Sequence, residues 1–258
     1  MLIENPAGNY AFLAADNPYS AGVVAQPGYE IVRVVLKEAI PYRKGFDLIA
    51  QYLEKQGRPR TALCNVELRS PHPATFDAFA SFNDGYRALL ESWGLMVDDM
   101  NPIARTNVAP ALNSPSEPSL YAFGYSAKSA KSNGERTFVV SGAGELVNSD
   151  LSSQNIARAK DTSEDAIREK ANCVLAIMQS RLAQMGMKES AVTEVNVYTV
   201  HNIFPHLEPA ILAALPQAGF HGLRWHFARP PVLDIEFEMD VKSIQAEHLC
   251  PVNGFAST

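Results

Sequence analysis

Two stretches near the C-terminus hold the residue types that act on acids. In LDIEFEMDV, Leu233, Ile235, Phe237, Met239 and Val241 alternate with Asp234, Glu236, Glu238 and Asp240. Period two in a strand sends the two sets to opposite faces, so four carboxylates share one face. A sheet with one wet face accounts for that pattern. So does a cleft in which one carboxylate activates water as a general base. Like charges along one face repel and call for a cation nearby. Arg224 and Arg229, in LRWHFAR just upstream, can pair with the row or fork onto the carboxylate of a ligand. Arg105, in NPIARTNVA, holds the matching place in the first half, where the closing strand LYAFGY carries no carboxylate. An arginine without an acidic neighbour is the better candidate for an external anion.

The remaining chemistry-bearing types are sparse. Six histidines, His72, His201, His206, His221, His226 and His248, show no HExxH or related metal spacing, so no metal site is expected. His221 and His226 flank Arg224 and fit either a ligand-binding or a structural role. No GxSxG, P-loop or GxGxxG occurs, and SGAGEL at 141–146 follows a strand without opening a helix. Cys64, Cys173 and Cys250 are odd in number and contain no CxxC pair, which argues against a secreted disulfide framework. Cys173 falls in a helical apolar pattern and reads as a small buried hydrophobe.

These residues must be positioned by an alternation of strands and helices. Glu30–Lys37, rich in Val and Ile, reads as a strand. Phe46, Ile49, Ala50 and Leu53 recur at helical spacing up to Gly57 and Pro59, and Thr61–Leu68 reads as a strand. Phe76, Phe79, Ala80, Asn83, Tyr86, Leu89 and Leu90 mark a long helix ending near Gly94; Ala104–Ala109 and Leu120–Tyr125 close the first half. SAKSAKSNGER at 126–136 reads as a linker or hairpin loop. In the second half Thr137–Ser141 is a strand. Ser163, Glu164 and Asp165 open a helix striped with Ile167, Ala171, Val174, Leu175, Met178 and Leu182, stopping at Gly186. Val192–Val200, a short helix over Leu207–Leu215, and strands over Leu223–Arg229 and Leu233–Val241 follow. Both halves end in the order strand, helix, strand, helix, strand, strand, which reads as a diverged duplication with units 1–127 and 128–258.

The 258 residues are 47% apolar, enough for a substantial core, and 28 acidic against 22 basic side chains leave a net charge of −6. That balance argues against non-specific nucleic-acid binding. The first twenty residues lack a basic segment, and no apolar run approaches the ~18 residues of a membrane span, so the expected location is the cytoplasm.

Several segments resemble the Rid/YjgF family of reactive-intermediate deaminases. NPYSAGVVAQPGYEIVRVV is similar to the family's opening, FDAFASFNDGY to its second helix, and PIARTNVA to its P-A-R-S strand. TFVVSGAGEL resembles its V-S-G-Q strand end, VTEVNVYTVHNIFPHL its central strand and following helix start, and LRWHFARPPVLDIEFEMDV its terminal strand pair. The resemblance spans nearly the whole chain as two copies. It implies an α+β fold of two tandem chorismate-mutase-like, YjgF-like units, each a mixed sheet with two helices on one face. It also implies a homo-oligomer, a trimer or pseudo-symmetric ring with ligand clefts between units. By this resemblance Arg105 and Arg224 clamp a substrate carboxylate, Glu236 or Glu238 assists water attack on an imine, and Tyr19, Asn107, Ser141, Gly142 and His226 bind substrate. No cofactor is implied. The first half has Lys37–Ala39 where S-G is expected and lacks the glutamate, while the second lacks the P-Y-S segment. Either the halves pool their parts in one cleft or one type of cleft has died. The expected activity is hydrolysis of a carboxylate-bearing enamine or imine to a carbonyl compound and ammonia, on an imino acid or an aminomuconate-type ring-cleavage product. Other hydrolase or lyase chemistry on a dienoic or cyclic acid, or small-molecule binding without turnover, are the alternatives.

Overall fold

Among the described residues, thirteen strands and three long helices follow from the apolar patterning of the chain. The computed structural model describes residues 1–15, 18–129, 135–147 and 152–252. The first half contributes β1 (Leu2–Asn5), β2 (Tyr10–Leu13), β3 (Gly22–Ala25), β4 (Tyr29–Pro41), β5 (Leu63–Arg69), β6 (Ala104–Pro110) and β7 (Ser119–Lys128). It also holds helices α1 (Tyr42–Lys55) and α2 (Phe76–Ser92). The second half contributes β8 (Phe138–Gly144), α3 (Glu164–Gln184), β9 (Glu194–Tyr198), β10 (Arg224–His226), β11 (Ala228–Arg229), β12 (Glu238–Ser243) and β13 (Ala246–Cys250).

The helix limits have local causes. Ser163 caps α3 by accepting from the Ala166 N–H at 3.4 Å, and Thr75 caps α2 in the same way. Past α3, Gly186 takes φ +69°, and the Met187 N–H returns to the Leu182 carbonyl at 2.9 Å. A residue with a Cβ adopts that left-handed geometry at a cost, so glycine ends the helix. α1 and α2 stop at Gly57 and Gly94 by the same device.

The strands form two mixed sheets, β1-β2-β3-β8-β12-β9-β10 and β11-β6-β5-β7-β4-β13. Each sheet therefore draws strands from both halves. β1–β3 pair with β8, and β13 runs parallel to β4. α3 lays Ile167, Ala171, Val174, Met178 and Leu182 against Val140, Val197, Phe237 and Met239 of the seven-stranded sheet. α1 and α2 lay Phe46, Ile49, Leu53, Tyr86 and Leu90 against Val66, Leu68, Leu120 and Phe123 of the six-stranded sheet. The sheets' other faces meet, with Tyr10, Phe12, Val23 and Val139 packed against Ile31, Cys64 and Ala104. The layers thus run helices, sheet, sheet, helices, an α+β arrangement.

Part of the sheet-to-sheet layer is ionic. Arg33 forks onto Glu67 with two 2.7 Å bonds, Lys242 lies 3.5 Å from Glu67, and Lys242 also bonds Asp240. Asp240 further accepts from Thr106 at 2.8 Å, Asn196 at 2.8 Å and Tyr198 at 2.9 Å. Burial pushes the Glu67 carboxyl up, but the Arg33 and Lys242 charges outweigh it and hold it below its usual range. Arg33, Glu67, Lys242 and Asp240 are each paired, the condition under which burial of charge is tolerated.

Several sequence expectations need correction. The last strand begins at Glu238, not Leu233, because Asp234 sits at φ +69° and breaks the extended run. The carboxylate face of that strand is not wet: the six-stranded sheet covers it, and Glu238 and Asp240 are buried. The expected strand Leu223–Arg229 divides at Phe227, with β10 joining one sheet and β11 the other. The expected helix Leu207–Leu215 is a three-residue α turn, Phe204–His206, followed by a π-helical stretch, Leu207–Leu212. β7 continues through Lys128 into the expected linker, and residues 130–134 of that linker lie outside the described residues. Cys64 and Cys250 are buried, whereas Cys173 is only partly so. Among the described residues, no helix is long and apolar enough to cross a membrane, and no cluster of three His, Cys, Asp or Glu side chains is placed to hold a metal.

Candidate active site

The two sheets and their helices leave a cavity at one junction. Its walls carry Tyr19, Phe79, Arg105, Asn107, Gly142 and Glu238, with Arg181 and Ile177 from α3 and Val232 and Ile235 from the loop before β12. Tyr19, Arg105 and Asn107 come from the first half of the chain; Gly142 and Glu238 come from the second.

Arg105 projects from β6 and is 2% exposed. Asn83 on α2 accepts from its Nη2 at 2.7 Å, and its Nη1 has no protein partner. The guanidinium lies 4.5 Å from the Tyr19 ring centroid and 4.8 Å from that of Tyr86, with Phe79 and Phe82 each at 5.6 Å. Ring faces stabilise a cation by about 0.5–2 kcal/mol each, yet they satisfy none of its N–H donors. No carboxylate lies within ion-pairing distance of it among the described residues, and burial lowers its affinity for its proton. A buried guanidinium with an open donor is a site prepared for an anion that the chain does not supply. Asn107 adds a second open donor: its Oδ1 accepts from Ser70 Oγ at 3.0 Å, and its Nδ2 is unpartnered.

Glu238 is the first residue of β12 and is 5% exposed. Burial pushes its carboxyl well above the usual range and Asp240 adds to the rise; Arg105 and Arg181 pull the other way without reversing it. That rise favours the protonated form, the form in which a carboxyl can donate a proton. Gly142 makes its position possible, since a Cβ there would stand 2.3 Å from Glu238 Oε1. The approach to β12 is fixed by Glu145, whose carboxylate accepts from the backbone N–H groups of Glu236 and Phe237 at 2.7 and 3.0 Å. Lys170 of α3 holds Glu145 from the other side at 3.0 Å, with both side chains fully buried.

Ser141 works behind the wall. Its Oγ donates to the Ser20 carbonyl at 2.6 Å and accepts from the Arg105 N–H at 3.2 Å, tying the Tyr19 segment, β6 and β8 together. The Gly142 N–H is taken by Thr106 Oγ1 at 3.2 Å. The S-G pair thus shapes the cavity and its amide is occupied.

The other sequence-derived candidates lie elsewhere. Arg224 is half-exposed on the edge strand β10, 3.4 Å from Glu194 and 3.6 Å from Glu247. Glu236 points to the rim, where Arg229 and His201 each hold it at 2.9 Å. His226 stacks on Tyr198, bonds Asn196 at 3.2 Å, and is driven to about 4 by burial and the Arg69 charge, so its ring is neutral at pH 7. Sequence reading missed Arg181, which sits four residues after Ile177 at the margin of the α3 stripe, and Asn83, a polar residue inside the α2 apolar stripe. Those off-pattern positions were the available signals.

The whole chain has close relatives. The family model described as 2-aminomuconate deaminase CnbZ matches residues 2–248. A 2-amino-5-chloromuconate deaminase of Comamonas testosteroni is 36% identical over 241 residues, covering 93% of this chain and 95% of that one. Among solved structures, a chorismatase covers 93% of this chain and 78% of its own at 11% identity and TM-score 0.49. A candidate endoribonuclease of Thermotoga maritima covers 42% of this chain and 79% of its own at 19% identity and TM-score 0.31.

Proposed function

The chain belongs to the 2-aminomuconate deaminase family, and from that premise we propose that it hydrolyses an aminomuconate-type enamine to the corresponding keto acid and ammonia in the Arg105–Glu238 cavity. The observation that carries this reading is the buried Arg105 guanidinium, with an open Nη1, lining one cavity with the buried Glu238 carboxyl, whose pKa burial raises.

Arg105 and Asn107 Nδ2 hold the carboxylate adjoining the amino-bearing carbon. Glu238 gives its proton to the enamine chain; the C=C electron pair shifts and a C=N bond forms. Water adds to that carbon and the Glu238 carboxylate takes one of its protons. The resulting carbinolamine loses its nitrogen as ammonia, with Glu238 passing the hydroxyl proton across as the C–N bond breaks. One water enters, one ammonia leaves, and Glu238 ends as it began. Tyr19 and the α2 rings wall the cation from solvent, which strengthens its grip on an anion.

The supporting experiment follows ammonia release and loss of the dienamine absorbance with 2-aminomuconate. Arg105→Lys keeps a charge but loses the open Nη1 donor, and kcat/KM should fall roughly 100-fold, the worth of a charge-assisted hydrogen bond. Unaltered turnover in that variant would remove Arg105 from the reaction.

In this reading the chain is a diverged duplication with units 1–127 and 128–258 that exchange β1–β3 and β13, a division supported by each sheet drawing strands from both halves, and the cavity pools an arginine from the first unit with a glutamate from the second.

A further inference from the structure

The cavity holds a second guanidinium to which the reaction above gives no task. Arg181 reaches in from α3 and donates Nη1 to the Ser141 carbonyl at 2.9 Å. That bond anchors one arm of the fork. No other hydrogen bond and no ion pair engages Arg181 among the described residues, so the other arm and Nε remain for a ligand. The same Ser141 that supports the Arg105 backbone through its hydroxyl thus orients Arg181 through its carbonyl. Both guanidiniums lie within electrostatic reach of the Glu238 carboxyl and the Tyr19 hydroxyl. The cavity wall therefore carries two fixed positive charges, neither of them ion-paired to a carboxylate among the described residues.

We propose that Arg181 binds the second, distal carboxylate of the substrate and makes the site selective for α,ω-diacids over monoacids. This deepens the deaminase reading and rests on it for the placement of the first carboxylate at Arg105. A linear diacid held at both ends presents its middle carbons to Glu238, whereas a monoacid would leave Arg181 desolvated and unpaired. Uncompensated burial of a charge penalises the wrong ligand as well as favouring the right one. The fork suits a planar carboxylate better than an ammonium would.

The test measures binding, so it does not depend on turnover. Calorimetric titration compares trans,trans-muconate (2,4-hexadienedioate) with sorbate (trans,trans-2,4-hexadienoate), which share the six-carbon diene and its geometry and differ in one carboxylate. The wild-type protein should favour muconate by roughly 100-fold, the range of one charge-assisted pair. Arg181→Met should reduce that preference to about 3-fold or less, and Arg181→Lys should retain an intermediate value near 10-fold. Should Arg181→Met not fold, the lysine variant alone decides: a preference equal to wild type overturns the proposal. An undiminished muconate preference in Arg181→Met overturns it as well. The deaminase reading fails separately, when the wild-type protein binds both acids yet releases no ammonia from 2-aminomuconate.

Discussion

Arg105 and Arg224 are the two arginines that sequence symmetry pairs, and the structure treats them in opposite ways. Arg105 is buried, ringed by aromatic faces and left with a free donor. Arg224 lies at a sheet edge within reach of Glu194 and Glu247. The glutamates diverge likewise. Glu238 lines the cavity with its carboxyl pKa pushed up by burial, while Glu236, two residues away, is held by Arg229 and His201. The same side chains become site or scaffold according to whether the chain supplies their counter-ion. A guanidinium already matched with carboxylates gains little from a ligand; one matched only with rings gains much.

The sharpest way to break this contrast is at the glutamates. Glu238→Gln keeps shape and burial but cannot shuttle a proton, and should lower kcat by 100- to 10,000-fold. Glu236→Gln in the same assay should change it far less; equal losses would show that the two carboxylates are not distinct. The pH profile sharpens the point. A carboxyl raised above its usual range is competent below its pKa and fails above it. Wild-type kcat/KM should fall as pH rises through that raised pKa, and the residual activity of Glu238→Gln should lack that limb. A smaller effect is expected at Gly142→Ala. The new methyl would displace the Glu238 carboxyl and should cost about 10-fold in kcat with little change in KM. The smallest concerns Arg224→Ala, which should leave kcat/KM within about 2-fold, since the group is exposed and ion-paired on the surface. A large loss there would give the sheet edge a part in the reaction.

Much of this was legible in the sequence, for identifiable reasons. Helix limits could be read because Ser163 and the glycines after each helix act locally. Tyr19, Arg105 and Glu238 could be named because their segments resemble those of a deaminase family, and the family match narrows that class to aminomuconate deaminases. Alternation alone could not choose between Glu236 and Glu238. It assumed one continuous strand from Leu233, whereas the left-handed Asp234 breaks that run and the Glu145 carboxylate fixes residues 236 and 237 from outside the segment. Nor could it show that the carboxylate face would be covered, because the covering residues, such as Thr106, lie more than a hundred positions away. Arg181 was hidden by its helix. A solvent-facing arginine beside an apolar stripe and one entering a cavity have the same spacing.

The exchange of strands at the two chain ends bears on how the molecule can be divided. A polypeptide severed between Ser129 and Glu135 would yield a leading fragment whose β1–β3 hairpins have lost β8, and a trailing fragment whose β13 has lost β4. Each piece would expose unsatisfied edges complementary to the other. Catalysis would return only when both pieces are mixed, so the molecule is one enzyme by stitching, and complementation between halves is the form in which its dependence on both becomes visible.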